Sequence, residues 1–274
     1  MSPKRTNPRL AALAVVFVTL CSVTPPARAE GAQMNIELSQ PGQPMTLEIG
    51  MLSANIRVIG ERRDDVQLDV DAATGERRIV TPSGSKAIPS SSYKVSATEE
   101  DNVVEVNSDW RVSTVDIVAR VPVGATLDLW TTNDGTIVVE GVSGEMNLRN
   151  INGPITVTGA SSAVIAESIN EDIEIGFASL ESVSASSLTS VEGNLRVALP
   201  NRPQVQLQID TARGEISSAF EVDVVPSAPS VTRKDEDGEV EISVENVIVA
   251  NINNGGPVIR LKTLNGDIRI DKTP

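Results

Sequence analysis

The middle of the chain repeats one arrangement of apolar and polar positions. Gly135, Gly144 and Gly153 stand nine residues apart, and each opens the unit G-x-Φ-x-Φ-x-x-Φ-x, where Φ is apolar. The Φ positions are Ile137 and Val139, then Met146 and Leu148, then Ile155 and Val157, with Val142 and Ile151 as a third apolar position between them. Two units make 18 residues. Eighteen residues after Gly153, Glu171 opens a copy with Ile173 and Ile175, and the half-unit in between keeps Val164 and Ala166. Later copies start at Gly193 ("GNLRVAL"), Gly214 ("GEISS") and Gly266 ("GDIRI").

Alternation over three residues puts the two apolar side chains of a unit on one face of a short strand. Glycine, in several copies preceded by Asn or Asp, allows the left-handed backbone of a tight turn. Gly135, Gly144, Gly153, Gly193, Gly214 and Gly266 are therefore the expected structural turns. One unit cannot bury its own face, whereas stacked units can, with strands about 4.8 Å apart. The expected fold is all-β, a β-solenoid (β-helix-like) of short strands with 9/18-residue periodicity. It forms a single elongated domain over residues 30–274, most regular between 129 and 199. Ile137, Val139, Met146, Leu148, Ile155, Val157, Ile173, Ile175, Leu195 and Val197 are expected to share one continuous interior. A row of sandwich hairpins is the competing arrangement, but sandwich strands recur at irregular spacings of about 8–12 residues. The constant step favours the stack.

The flanks are β-like but less regular. "MTLEIG" and "ANIRVIG" read as strands, with Asn55–Val58 resembling a worn copy of the unit, and "DDVQLDV", "NVVEVNSDWRV" and "VDIVARVPV" alternate well enough to pair. "TPSGSKAIPSSSYK" is a polar loop, and the stretch from Val225 to Leu261 reads as a hairpin or long excursion before the last copy returns. No segment has helical periodicity. Because the end of a stack exposes unpaired strand edges, the divergent segments before residue 50 or after residue 220 are expected to cap it.

The "GxIxV" copies, the mid-chain "VPVGATLDLWTTNDG" and the closing "IRLKTLNGDIRIDK" together resemble the bacterial putative-adhesin family, a domain otherwise of unknown function. The resemblance runs from about residue 50 to 272. It implies a β-helix-like solenoid in the cell envelope. The chain departs from the family's repeat at Pro154, Glu171 and Asn194, where the family prefers its Gly or Asp.

The address agrees with an envelope protein. Lys4, Arg5 and Arg9 precede the apolar "LAALAVVFVTLCSV", and Ala27-Arg28-Ala29 forms a small-x-small site, so residues 1–29 read as a signal peptide cleaved before Glu30. About 14 apolar residues fall short of the ~20 needed to cross a bilayer, so the mature chain is expected to carry no transmembrane span. Leu20 before Cys21 is a poor match to a lipoprotein signal. The expected location is the periplasm, the cell surface or the medium.

Composition narrows the chemistry. The net charge is −14; without the leader's four basic residues, 19 basic face 37 acidic residues, or −18. Such a surface repels phosphate backbones and anionic headgroups, which argues against nucleic acid and favours cations or basic partners. The absence of His removes imidazole bases and imidazole metal sites together. Cys21 leaves with the leader, and few aromatics remain, so no thiolate chemistry or base-stacking platform is expected.

The remaining motifs are weak. Asp235-Glu236-Asp237-Gly238 lacks the later ligands of a calcium loop and reads as a hairpin turn. Ser83/Lys86 and Ser91/Lys94 have the Ser-x-x-Lys spacing, but in a Pro/Ser-rich loop without the helical turn that would bring Lys beside the hydroxyl. Asp64-Asp65 and Glu171-Asp172 are sequence neighbours whose side chains point opposite ways in a strand. The expectation is a non-enzymatic exported envelope protein without catalytic residues, metal or cofactor. It would bind an envelope or surface partner, protein or glycan, with rigid faces, and self-association is open. The alternative is a polysaccharide-active β-helix enzyme using carboxylates, which a clustered carboxylate groove on one long face would favour.

Overall fold

The structure, a computed structural model, describes residues 32–72, 95–108, 114–133, 135–226, 230–236, 239–245 and 247–273. Residues 1–31 with Cys21, the Ser-x-x-Lys spacings at Ser83/Lys86 and Ser91/Lys94, Trp110, and Asp237-Gly238 lie outside them. The described residues form strands and no helix, and so none long and apolar enough to cross a membrane. In chain order the strands are β1 (Ala32–Glu37), β2 (Thr46–Met51), β3 (Ala54–Glu61), β4 (Asp65–Ala72), β5 (Val95–Glu100), β6 (Val103–Ser108), β7 (Val115–Pro122) and β8 (Thr126–Thr131). Next come β9 (Ile137–Glu140), β10 (Met146–Asn150), β11 (Ile155–Ala160), β12 (Val164–Ser168), β13 (Ile173–Phe177), β14 (Ala185–Thr189), β15 (Leu195–Leu199) and β16 (Val205–Thr211). The last are β17 (Ile216–Ser218), β18 (Asp223–Val225), β19 (Ser230–Glu236), β20 (Glu239–Glu245), β21 (Ile248–Ile252), β22 (Val258–Thr263) and β23 (Ile268–Lys272).

Two large mixed sheets take all but β19 and β20, which form a hairpin within the excursion after Val225. The first sheet runs β1-β4-β7-β3-β9-β11-β13-β15-β23-β17, the second β18-β21-β16-β22-β14-β12-β10-β8-β2-β6-β5. From β8 to β15 consecutive strands alternate between the sheets, and each pairs in parallel with the strand two places on. We call a strand of the second sheet plus the strand of the first that follows it a rung. The 18-residue step sets the register: Ile137 opposes Ile155, which opposes Ile173, and the same row continues to Leu195 and Ile268.

Because inward positions alternate along each strand, both sheets empty their aliphatic side chains into one core. All ten residues expected to share an interior are in it, nine with no exposed surface and Met146 at 3%. Phe177 is the one aromatic among its fully buried side chains, the rest being aliphatic.

Spatial order departs from chain order at both ends. Rung β2–β3 lies between rungs β6–β7 and β8–β9, and rung β22–β23 lies between β14–β15 and β16–β17, in parallel with both neighbours each time. Beyond the parallel rungs, antiparallel strands take over. β4 and then β1 continue the first sheet past β7, β5 continues the second past β6, and β21 and then β18 continue the second past β16. The expected capping segments thus include β1, β18 and β21, joined by β4 and β5 from residues 65–100. The Gly214 copy is an edge strand, β17, whose three residues are exposed.

On β4, Asp69 binds Arg120 of β7. Burial opposes the charged form of Asp69, but hydrogen bonds from Arg120 and Gln67 outweigh it and hold its carboxyl below the ordinary 3.8. A lowered native value means stability that is present at neutral pH and is lost as pH falls through the native value. Asp69→Asn should therefore lose stability at pH 7 and show a shallower loss between pH 5 and 2 in urea titrations. With Asp69 37% exposed, the effect should be no more than about 1 kcal/mol.

Candidate interaction surfaces

The corner where the chain leaves the second sheet for the first is built from five side-by-side columns. On β10, Met146, Leu148 and Asn150 point inward, so Ile151 must point out. The same phase recurs on neighbouring rungs. It gives a buried polar column of Thr131, Asn150, Ser168, Ser190 and Thr263, and beside it an exposed aliphatic column of Leu52, Ile151, Ile169, Val191 and Leu264, 36–50% exposed. Backbone bonds between rungs hold the columns in line: Ile151 N–H donates to Thr131 O, Asn170 to Ile151 O, Glu192 to Ile169 O, Asn265 to Val191 O and Arg213 to Leu264 O, at 2.8–3.2 Å. At the opposite corner Gly141 (φ 65°) and Gly159 (φ 80°) break the alternation and turn Val142 and Ala160 into the core. The two third apolar positions read from the repeat, Val142 and Ile151, are therefore not equivalent.

Five of the six motif glycines lie between these columns and Gly144 lies at the opposite corner; their role differs from the expected one. None of Gly135, Gly144, Gly153, Gly193, Gly214 and Gly266 is left-handed; that backbone occurs at Gly42, Gly141, Gly159 and Gly255. Each motif glycine instead faces a carbonyl of the adjoining rung. A Cβ at Gly153 would lie 1.7 Å from Gly135 O, at Gly214 1.9 Å from Gly266 O, at Gly266 2.1 Å from Gly193 O and at Gly193 2.0 Å from Glu171 O. Gly135 and Gly144 meet Ala54 O and Ala125 O, each at 2.1 Å. Close approach, not torsion, requires glycine here.

The buried polar column satisfies three of those carbonyls. Asn150 Nδ2 donates to Gly135 O (2.9 Å), Ser190 Oγ to Glu171 O (3.3 Å) and Thr263 Oγ1 to Gly193 O (3.0 Å). Thr131 Oγ1 is buried without a protein partner. Thr263→Val, which keeps the shape but strands the Gly193 carbonyl, should cost about 1–3 kcal/mol, while Thr131→Val should be neutral or stabilising; paired thermal melts check both. The spacing Asn150-x-x-Gly153, Ser190-x-x-Gly193, Thr211-x-x-Gly214 and Thr263-x-x-Gly266 was legible in the sequence as a polar residue three before each glycine.

A further column follows the glycines. Asp172 Oδ1 accepts from the N–H of Asn194 (2.7 Å), Asn194 Oδ1 from that of Asp267 (2.9 Å) and Asp267 Oδ1 from that of Glu215 (2.8 Å). These side chains stitch rung to rung. Asp172, one of the sequence-predicted neighbouring carboxylates, is thus a backbone acceptor. Pro154 occupies the same place and has no N–H to offer.

Two solved structures are similar to this chain. One is a putative cell adhesion protein from Clostridium sporogenes, at 10% identity and TM-score 0.38 over 89% of this chain and 100% of that one. The other is a putative adhesin from Bacteroides fragilis, at 9% identity and TM-score 0.37 over 90% of this chain and 98% of that one. No family model and no curated relative matches the chain.

On the outer face of the first sheet, two arginines pair with carboxylates of neighbouring rungs. Arg57 pairs with Glu140 (2.9 Å), and Arg196 pairs with Glu174 (2.5 Å) and Asp271 (2.7 Å). The hydrogen bond to Asp271, with the Glu174 charge, raises the Arg196 pKa further. Arg196 and Arg269 line a shallow cleft with Asp172, Glu174 and Asp267. Its carboxylates are thereby bound to guanidinium or backbone N–H groups. The second sheet's outer face carries Trp130, 40% exposed, whose indole lies over Gly50, so close that a Cβ there would meet Nε1 at 2.2 Å. Farther along it Arg149 meets Glu167 (3.6 Å) and Lys262 meets Asp210 (3.1 Å). Among the described residues no group of three or more Asp, Glu, His or Cys side chains gathers to hold a metal.

Proposed function

We propose that the chain is an exported, non-enzymatic module of the cell envelope, adhesin-like in use, whose β-solenoid of parallel rungs presents rigid faces to a protein or glycan partner. The observation that carries this reading is the side-chain columns. Asp172 and Asp267 on the corner, and Glu140, Glu174 and Asp271 on the first sheet, each hold a neighbouring rung. A general acid or base needs a carboxyl free to gain and lose a proton beside its substrate, whereas a carboxylate fixed between a guanidinium and a strand gives rigidity. Rigid, pre-ordered faces lower the entropic cost of binding. The resemblance of the sequence to envelope proteins, its leader and its acidic surface agree with this use.

The test is capture from envelope extract by the purified protein, run beside an assay for release of sugars from envelope glycans. Specific capture without turnover is expected. Turnover abolished by one Asp or Glu substitution that leaves the melting curve unchanged would establish the polysaccharide-active enzyme instead.

A further inference from the structure

The aliphatic column at the corner is a ridge that no described residue covers. Leu52, Ile151, Ile169, Val191 and Leu264 are exposed on six successive rungs, with Thr132 standing between the first two. At about 4.8 Å per rung the ridge is about 24 Å long. Nothing in the packing of a rung requires an apolar residue there: Thr132 fills the place on one rung, and the alternation that points Asn150 inward points its successor at solvent whatever it is. Contiguous apolar surface of this kind on a charged protein marks a contact.

The column beside the ridge identifies the partner. It reads Ser53, Asn133, Asn152, Asn170, Glu192, Asn265 and, on the next rung, Arg213. One acid and one base leave this strip neutral in a chain of net charge −14. Its amides serve as donors and acceptors alike: Asn170 Nδ2 donates to Asn152 Oδ1 (2.5 Å) and Asn265 Nδ2 to Glu192 Oε1 (2.8 Å). A basic partner would be drawn to the acidic surface elsewhere, and the basic residues that flank the ridge on the second sheet, Arg149 and Lys262, are each paired with a carboxylate, which leaves anionic headgroups little to hold. A second copy of the chain fits: it brings the same rung spacing, so the two ridges interlock along their length, and it meets no like charge across the strip.

We infer that this corner is a homodimer seam in which two copies lay their ridges side by side and antiparallel, about a two-fold axis at Ile169. The direction follows from the two-fold symmetry of a dimer. A two-fold axis along the ridges would set each strip against the partner's second sheet, whereas an axis across them sets strip against strip. Antiparallel ridges centred on Ile169 set Glu192 against Asn152 and Arg213 against Ser53. The inference rests on the binding-module reading above and deepens it by naming the partner of one surface.

Sedimentation equilibrium of the full chain across a concentration series should show a monomer–dimer equilibrium that is insensitive to salt. In Ile151→Asp/Ile169→Asp, both at exposed positions, dimerisation should weaken at least tenfold with the melting temperature unchanged. With Cys21→Ser as background, Ile169→Cys should form a disulfide-linked dimer while Leu52→Cys, at the end of the ridge, should not. This crosslink stands as the deciding measurement if the double variant unfolds. A monomer at every concentration, a dimer that survives the double substitution, or crosslinking through Leu52→Cys would overturn the seam. So would ridge-dependent sedimentation of the protein with phosphatidylcholine vesicles. A monomer that still captures an envelope partner would remove the seam and leave the binding reading standing.

Discussion

Ile155→Asp is expected to abolish cooperative folding. The side chain has no exposed surface, and Ile137 and Ile173 oppose it on the rungs to either side. A carboxylate there would be enclosed by aliphatic groups with no donor within the core row, a substitution of the kind that costs more than about 4 kcal/mol. Because every rung is buried only by its neighbours, the loss should spread along the stack. Far-UV circular dichroism and urea titration of the two proteins are the measurement. Thr156→Lys, one residue on and facing out beside Glu174, should melt within about 2 °C of the parent protein. A folded Ile155→Asp protein of parental stability would mean that this row is not a core.

Gly153→Ala should be nearly as damaging, although it adds a single methyl group. The new carbon would lie 1.7 Å from Gly135 O and 2.7 Å from Asn150 Nδ2, so the rungs must part or the Asn150 bond must break. Overpacking and the loss of that bond together should cost about 3 kcal/mol or more, a fall of about 6–12 °C in Tm for a chain of this size. Gly124→Ala is the control. A Cβ there meets nothing within 4 Å and the residue is not left-handed, so it should be neutral or slightly stabilising. Equal melting temperatures for the two variants would refute the close approach of the rungs.

The contrast between these glycines shows what the sequence contains and what it hides. The row Ile137, Ile155, Ile173 is legible because strand alternation and an 18-residue step are both local. The same step fails after Phe177, where four extra residues carry the row to Leu195 and 73 residues separate Leu195 from its next partner, Ile268. The Gly214 copy precedes Ile268 in the chain but lies beyond it in space, because a strand edge accepts any matching strand and the repeat does not encode which. In the sequence the glycines read as turns because a tight approach between rungs leaves no trace within a single rung. Ile151 looks equivalent to Val142 for a similar reason: only the left-handed Gly141 separates an inward from an outward position, and the pattern of apolar letters is the same at both corners. The polar column, by contrast, was open to reading, since Asn, Ser or Thr stands three residues before each of four motif glycines.

The placement of the last rung has a consequence for how the molecule is made. β22 and β23, residues 258–272, are flanked on both sides by strands synthesised earlier. Until the final stretch has arrived, β14–β15 and β16–β17 have no parallel neighbour on their facing edges, and the apolar row ending at Leu195 is open to water. Nascent chains therefore cannot fold rung by rung to completion. They must wait with a vacant slot, and closing it joins residues far apart in the chain, the kind of contact that makes folding slow. A chain stopped before residue 258 would retain the slot permanently, with open edges on β14, β15, β16 and β17 that invite pairing with other chains.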